Sequence, residues 1–331
     1  MTAPIWIGEN DLALDLSQAI ALLRKAMLRQ AEGRAKNMEK THLGWDGGSM
    51  HAIGAAFTDT ALLGVKTWAH TPKGATPLEI LWDAETGKLL AIIEAFAMGQ
   101  LRTAGIAGLV TDMLAAKDAD VLAICGTGKQ ALAQVAAVNL VRKLKLVRVH
   151  GRNAERRETF AKKVRSELGL DVEIFDDVTK AIENAPIITL VTRAREPFLT
   201  AAMPTRGAHI NAMGAITPER QEFTPALLDR CAIVATDSIE QARTMASELI
   251  AAWGPELKSS SLKTVSELVA AKASRPKSAD LTLFKSLGTG TADLALAEEL
   301  YRLARERGLG RELPTPAPAP LSFRDNQGSR S

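Results

Sequence analysis

The chain has 331 residues, 46% of them hydrophobic and 24% charged, with a formal net charge of +3. That is the balance of a folded globular protein long enough for two domains. So small an excess of positive charge, with one Tyr and eight Phe available for stacking, argues against a nucleic-acid binder.

The N-terminal run MTAPIWIGENDLALDL has no basic region and no continuous apolar stretch, so it does not read as a signal peptide. No apolar run reaches the about 20 residues of a membrane helix. Two cysteines, Cys125 and Cys231, stand in no metal-ligand spacing and fit a reducing compartment. The expectation is a soluble cytoplasmic protein without a metal site.

In chain order, Asp15–Gln30 carries Leu16, Ile20, Leu23 and Met27 at helical spacing and predicts an amphipathic helix. From Met50 to Glu94 the short runs AIGAAF, LLGVKTW, LEILWD and LLAIIEAF alternate with turn residues such as ETGK at Glu85–Lys88. These predict an antiparallel sheet with a hairpin. From Val121 onward VLAIC, LVRVH, IITLV, HINAMG and AIVATD alternate with helical stretches such as Lys129–Val141 and Ala154–Leu168. Buried strands alternating with helices predict a parallel, doubly wound sheet. The final RELPTPAPAPLSFRDNQGSRS, rich in Pro and polar residues, reads as a loosely attached tail.

The expected fold class is therefore α/β, a Rossmann-like doubly wound sheet preceded by an α+β domain. The expected boundaries are 1–118 for the α+β domain, 119–293 for the Rossmann domain and 313–331 for the flexible tail. A helix at about 294–312 is expected to return to the first domain.

Between the strand VLAIC and an alanine-rich helix lies Gly126-Thr127-Gly128-Lys129-Gln130-Ala131. Here the first glycine permits a tight reversal, the second removes a Cβ that would block a pyrophosphate, and the small third residue lets helix and strand pack closely. The helix N-terminus adds free N–H groups. The strand-turn-helix context makes this a dinucleotide site. The next strand, LVRVH, is followed by Gly151-Arg152-Asn153, with no carboxylate to bind ribose hydroxyls. Arg152 with Asn153 offers donors to a 2′-phosphate, which favours NADP(H) over NAD(H); the alternative is a solvated arginine in the basic stretch with Arg156 and Arg157.

Lys66 lies inside the apolar strand LLGVKTW, and a buried ammonium must meet an anion, either a structural carboxylate or a substrate. Arg102, followed by small residues in LRTAGIAG, poses the same choice on a close-packed helix. The segments GVK at Gly64–Lys66, LRTAGIAG at Leu101–Gly108, GTGKQA at Gly126–Ala131, GAHINAMGA at Gly207–Ala215 and FKSLGTGTADLALA at Phe284–Ala297 together resemble the ornithine cyclodeaminase/μ-crystallin family.

The resemblance implies a homodimer whose first domain binds substrate and dimerises while the Rossmann domain carries NAD(P). It implies that Lys66 and Arg102 grip the carboxylate of an α-amino or α-imino acid, with a further basic residue in NMEKTHLGW: Lys40, or His42 as the alternative. It also implies that Lys129, Gln130, Thr192, Asn211, Met213 and Ser286 line the cofactor, that Thr76 approaches the nicotinamide side, and that Leu287 meets the substrate.

Where cyclodeaminases of that family carry an Asp acid/base after the HINAxGx stretch, this chain has Ile216, which exchanges no proton. The expected activity is therefore NAD(P)H-dependent reduction of a 2-imino carboxylate, by an imine reductase or amino-acid dehydrogenase, with Lys66 able to assist proton transfer. Cyclodeaminase-type ammonia release with bound NAD, and a non-catalytic NADPH-dependent binding protein, are the alternatives. A cyclic imine, iminosuccinate and iminopyruvate present the same carboxylate. Arg193, Arg195 and His51 are candidates for a second carboxylate, with solvated surface residues as the default.

Overall fold

The computed structural model describes residues 3–11 and 14–318. The first predicted helix spans Leu16–Ala31, with Asp15 as its cap: the Asp15 carboxylate accepts from the Gln18 N–H, and the Gln18 side chain accepts in return from the Asp15 backbone. Ala19, Ile20, Leu23 and Met27 form its buried stripe.

The predicted antiparallel sheet is present. Its main path runs Arg311–Glu312, Ile5–Ile7, Leu89–Glu94, Leu78–Asp83, Leu62–Thr71, Gly48–Phe57, Ala35–Asn37. One face packs against the helix Gly290–Arg307, so closely that a Cβ on Gly290 would stand 2.0 Å from the Gly54 carbonyl oxygen. Lys66 and Glu79 lie on this helix-covered face as a cross-strand pair. Leu63 and Val65 alternate to the other face with Ile80, Trp82 and Ile92. On that face Leu63 is 37% exposed and the other four are half-buried.

The second sheet is parallel, in the order Asp171–Phe175, Leu146–His150, Val121–Cys125, Ile187–Leu190, His209–Ala212, Leu281–Lys285, Cys231–Thr236, Leu262–Thr264. It is a Rossmann-like doubly wound sheet. Three of its described strands escape a reading by apolar runs, the short Leu262–Thr264 among them. Asp171–Phe175 is an edge strand with polar Asp171 and Glu173, and Leu281–Lys285 mixes Thr282 and Lys285 into its apolar residues.

The helix Phe96–Leu114 joins the two halves. Its glycines let neighbours approach: a Cβ on Gly105 would meet Leu23 at 2.7 Å, and one on Gly108 would meet Ile20 at 2.9 Å. Ile106, Leu109, Val110 and Met113 share one apolar cluster with Leu23 and Met27 on one side and Met213, Ala235 and Phe284 on the other. The helices Leu16–Ala31 and Phe96–Leu114 are thus packed onto the parallel-sheet half through this shared cluster.

The chain end differs in part from the loose tail expected. Arg311–Glu312 pairs antiparallel with Ile5–Ile7, and the Leu313 N–H bonds the Pro4 carbonyl at 2.8 Å. Strand pairing supplies partners that composition alone does not reveal. Residues 319–331 of that expected tail lie outside the described residues.

Lys285 is 0% exposed, and its Nζ lies 2.8 Å from the Glu248 carboxylate, also 0% exposed. The second Glu248 oxygen accepts the Glu222 backbone N–H at 3.0 Å. Removing one partner of a buried pair leaves an uncompensated charge. Glu248→Ala is expected to lower stability by about 3–5 kcal/mol in chemical denaturation; a change within about 0.5 kcal/mol would show the pair to be dispensable.

Candidate active site

Lys66, on the strand Leu62–Thr71, and Arg102, on the helix Phe96–Leu114, converge on a carboxylate that the sequence reading missed. Asp293, in the first turn of the helix Gly290–Arg307, accepts from the Lys66 ammonium and, at 3.1 Å, from the Arg102 Nε, both on Oδ1. Lys66 is 4% exposed and the Asp293 side chain 1%. The second oxygen, Oδ2, is buried and has no hydrogen-bond partner among the described residues. Arg102 spends only Nε on this contact. Its terminal nitrogens bond no described residue and lie against Gly288, where a Cβ would meet Nη1 at 2.9 Å and Nη2 at 3.3 Å.

A second missed acid stands opposite Lys66. Glu79 is 1% exposed, and its Oε2 is likewise unpartnered among the described residues. Burial first, then the negative charge of Asp293, pushes the Glu79 carboxyl well above the carboxylate range. Burial, then the Arg102 guanidinium, lowers the Lys66 ammonium, while Asp293 acts against that shift.

Lys40 lies between the strands Ala35–Asn37 and Thr41–Trp45, part-buried, and faces Arg102, Lys66, Asp237 and Asp293. Burial, then Arg102 and Lys66, pull it down to about 8. It lines a cavity of about 360 Å³ with Asn37, Gln241 and Thr244. His42, the alternative, lies tilted against His51 with ring centres 4.6 Å apart, and His51 stacks on Trp68 at 4.8 Å. Burial, then Lys40, lowers His51 to about 4, so at neutral pH it is uncharged and ill suited to hold a second carboxylate. Arg193 and Arg195 lie on the loop after the strand Ile187–Leu190, and both are exposed.

At the dinucleotide turn Gly126 takes φ 118°, and a Cβ there would stand 2.5 Å from the Val191 carbonyl oxygen. Only glycine accepts that backbone in that space. Gly128 faces open space, with nothing within 4 Å of a Cβ. Gln130 has a buried Oε1 without a partner among the described residues, at the start of the helix Ala131–Val141. The Lys129 ammonium sits 5.4 Å from the Phe96 ring centre, across from the turn. An open glycine cradle and a helix N-terminus with free N–H groups fit a dinucleotide phosphate. Arg152 is exposed after the strand Leu146–His150, while the Asn153 side-chain oxygen is taken as the cap of the helix Ala154–Leu168.

Two residues expected to line the cofactor, Thr192 and Ser286, are bonded to acids that hold the site's loops. Thr192 bonds Glu222 through its N–H and hydroxyl, both at 2.7 Å; Glu222 also accepts the Gly214 and Ala215 N–H groups, at 2.8 and 3.1 Å. Ser286 donates to Asp237 at 2.9 Å, and the Leu287 and Gly288 N–H groups follow at 2.8 Å each. Glu222 thus fixes the loops after the strands Ile187–Leu190 and His209–Ala212, and Asp237 fixes the loop under Arg102.

Met213 and Leu287 are 6% and 3% exposed, packed in apolar clusters. Asn211, expected to line the cofactor, is 0% exposed, donates to Thr111 at 2.9 Å and meets His209 at 3.2 Å. Thr76 is exposed in the turn before Leu78–Asp83, and no hydrogen bond among the described residues ties it to the cleft.

The missed acids had readable signals. Asp293 is a lone acid in the apolar run GTGTADLALA, and Glu79 falls on the inward phase of LEILWD, beside the Lys66 strand. Among the described residues, no helix is long and apolar enough to cross a membrane.

A parallel Rossmann-like sheet with a glycine-rich dinucleotide turn, joined to a second sheet beside which a cluster of cations gathers, defines a nucleotide-binding protein of the NAD(P) class. The profile of the ornithine cyclodeaminase/mu-crystallin family matches residues 9–308, and the chain belongs to that family.

Among its relatives, a Delta(1)-pyrroline-2-carboxylate reductase of Bacillus cereus is 30% identical over 237 residues, 71% of this chain and 73% of that protein. The ketimine reductase mu-crystallin of Mus musculus is 32% identical over 222 residues, 67% of each chain. The structure of Thermococcus litoralis Delta(1)-pyrroline-2-carboxylate reductase in complex with NADH and L-proline superposes with a TM-score of 0.87 at 25% identity. It covers 93% of this chain and 100% of that one.

Proposed function

We propose that the protein is an NAD(P)H-dependent oxidoreductase that reduces the C=N bond of a 2-imino carboxylate to an amino acid. The observation that carries this reading is Arg102. Its Nε is held by Asp293, while both terminal nitrogens have no partner among the described residues of a part-buried site. A guanidinium fixed in this way presents two parallel donors to a carboxylate.

Lys66 and Lys40 add positive charge on the same side. With Asp293 offsetting one charge, the three cations still leave the cleft attractive to an anion. The names of the relatives, pyrroline-2-carboxylate and ketimine reductases, agree with this chemistry.

The nicotinamide, when bound, supplies a hydride to the imine carbon. The chain's own residues do the rest. Arg102 and Lys40 hold the carboxylate and thereby fix the orientation of the adjacent C=N bond. Lys66, anchored on Asp293, offers its remaining N–H groups to the substrate and supplies a proton to the nitrogen. Its lowered pKa suits it to that transfer. Ile216, where cyclodeaminases of the family carry an acid, provides no proton, so reduction is favoured over cyclodeamination.

The cofactor reading extends to NADPH in preference to NADH. Arg152, with no carboxylate at the end of Leu146–His150 to repel a 2′-phosphate, supports it. Residues 1–118, with the returning helix, form the substrate-binding and dimerising domain, and 119–293 the cofactor domain. A second copy of the chain covers the apolar sheet face of Leu63, Val65, Ile80, Trp82 and Ile92, making a homodimer.

Two substitutions test these assignments. Arg102→Ala is expected to lower kcat/KM for pyrroline-2-carboxylate roughly a hundredfold or more, equivalent to about 3 kcal/mol, while cofactor Kd changes less than about twofold. Parallel losses in both would mean a collapsed site and not a lost carboxylate grip. Arg152→Ala is expected to weaken NADPH about tenfold or more and leave NADH nearly unchanged; equal effects on both, read by nucleotide fluorescence, remove the phosphate role.

A further inference from the structure

The site holds more buried acid than anion binding needs. Asp293 already accounts for the contacts that hold Lys66 and Arg102. Glu79 adds a second carboxyl on the strand Leu78–Asp83, directly across from Lys66 and on the same covered face. Among the described residues its Oε2 lacks any hydrogen-bond partner, and its Oε1 stands 2.7 Å from the place of a Gly64 Cβ. Apolar Leu81 and Leu294 close the same space. The charged groups that face Glu79 are Lys66 from its neighbouring strand, Asp293 from the helix Gly290–Arg307 and Arg102 from the helix Phe96–Leu114. A second full negative charge in such a place is expensive, and a carboxyl there keeps its proton instead.

We propose that Glu79 is the proton store behind Lys66: a buried carboxylic acid that reprotonates the lysine after the lysine has given a proton to the substrate nitrogen. The inference rests on the imine-reductase reading above. The balance is closed without any further reactant. A Lys66 N–H bond breaks as an N–H bond forms on the substrate, whose carbon receives the hydride and both electrons from the nicotinamide. The Glu79 O–H bond then breaks as Lys66 regains its third proton. The Glu79 carboxylate recovers its own proton from water by way of the cleft once product has left. Glu79 touches no substrate atom; it acts through Lys66, and is a positioning residue that sets the lysine's charge. It supplies from behind the strand what Ile216 does not supply from the cofactor side. The direction of its pKa agrees, since burial and Asp293 both favour the neutral acid.

Glu79→Gln keeps the shape and removes the transferable proton, so a purely structural role would leave the pH profile unmoved. In the variant Lys66 must be reprotonated from solvent. The alkaline limb of kcat for pyrroline-2-carboxylate reduction is expected to move down by about one pH unit or more, with a roughly tenfold loss of kcat on that limb and KM unchanged.

A readout independent of turnover comes from infrared spectroscopy of the ligand-free protein. A protonated carboxyl band is expected in the wild type at neutral pH and absent in Glu79→Gln; Glu222, another buried acid held above its usual range, is present in both proteins and cancels in the difference. Should that variant not fold, Glu79→Asp takes its place: it keeps an ionisable carboxyl in an altered setting, so a displaced band against an unmoved Glu222 contribution identifies the Glu79 carboxyl. Absence of the band at neutral pH, or an unchanged pH profile in a folded variant, overturns the proposal. A wild-type protein that shows the band but reduces no imine overturns the functional reading, and the relay with it, while leaving Glu79 a neutral acid.

Discussion

The site depends on one shared anion. Asp293 is nearly inaccessible to water and accepts on a single oxygen from cations carried by two other elements, a strand and a helix distant in sequence. An unpaired lysine in that strand would be prohibitively costly to bury. With Asp293 in place, Lys66 can occupy the core side of the sheet, and Arg102 is turned so that its terminal nitrogens face outward from the ion pair. The tight contact of Gly290 on Gly54 sets how deep the carboxylate sits. The same interaction therefore serves the packing of the first domain and the presentation of donors to a ligand.

The cofactor side is built on a parallel logic, with acids used as clamps for backbone. Glu222 gathers four donors from two loops at the carboxyl ends of adjacent parallel strands, and Asp237 gathers three from the loop beneath Arg102. Ligands of doubly wound sheets bind beside those strand ends. Rigid loops there hold the dinucleotide cradle in register with the cations across the cleft. The buried Lys285–Glu248 pair underpins this arrangement through the Glu222 backbone.

Much of the fold was legible because its signals are local. The Gly126–Gly128 turn, the apolar period of Leu16–Ala31 and the strand runs from Val121 all state their structure within a few residues. Lys66 and Arg102 were legible too, since a charge inside an apolar run requires a partner. The partner's identity was not, because Asp293 lies in a helix far along the chain and only the tertiary fold brings it near. Asn211, which the family resemblance implies at the cofactor, has hydrogen bonds to Thr111 and His209 that no local pattern in the sequence announces. Glu79 carried a local signal, the inward phase of LEILWD, but its place opposite Lys66 follows only from the strand pairing.

The most direct test is a crystal structure of the protein with NADPH and L-proline, the amino acid that reduction of pyrroline-2-carboxylate would form. The account predicts the proline carboxylate on the two terminal nitrogens of Arg102, with Lys66 beside the ring nitrogen and still bonded to Asp293. Proline bound with its carboxylate away from Arg102, or Lys66 turned from the ring nitrogen, would contradict it.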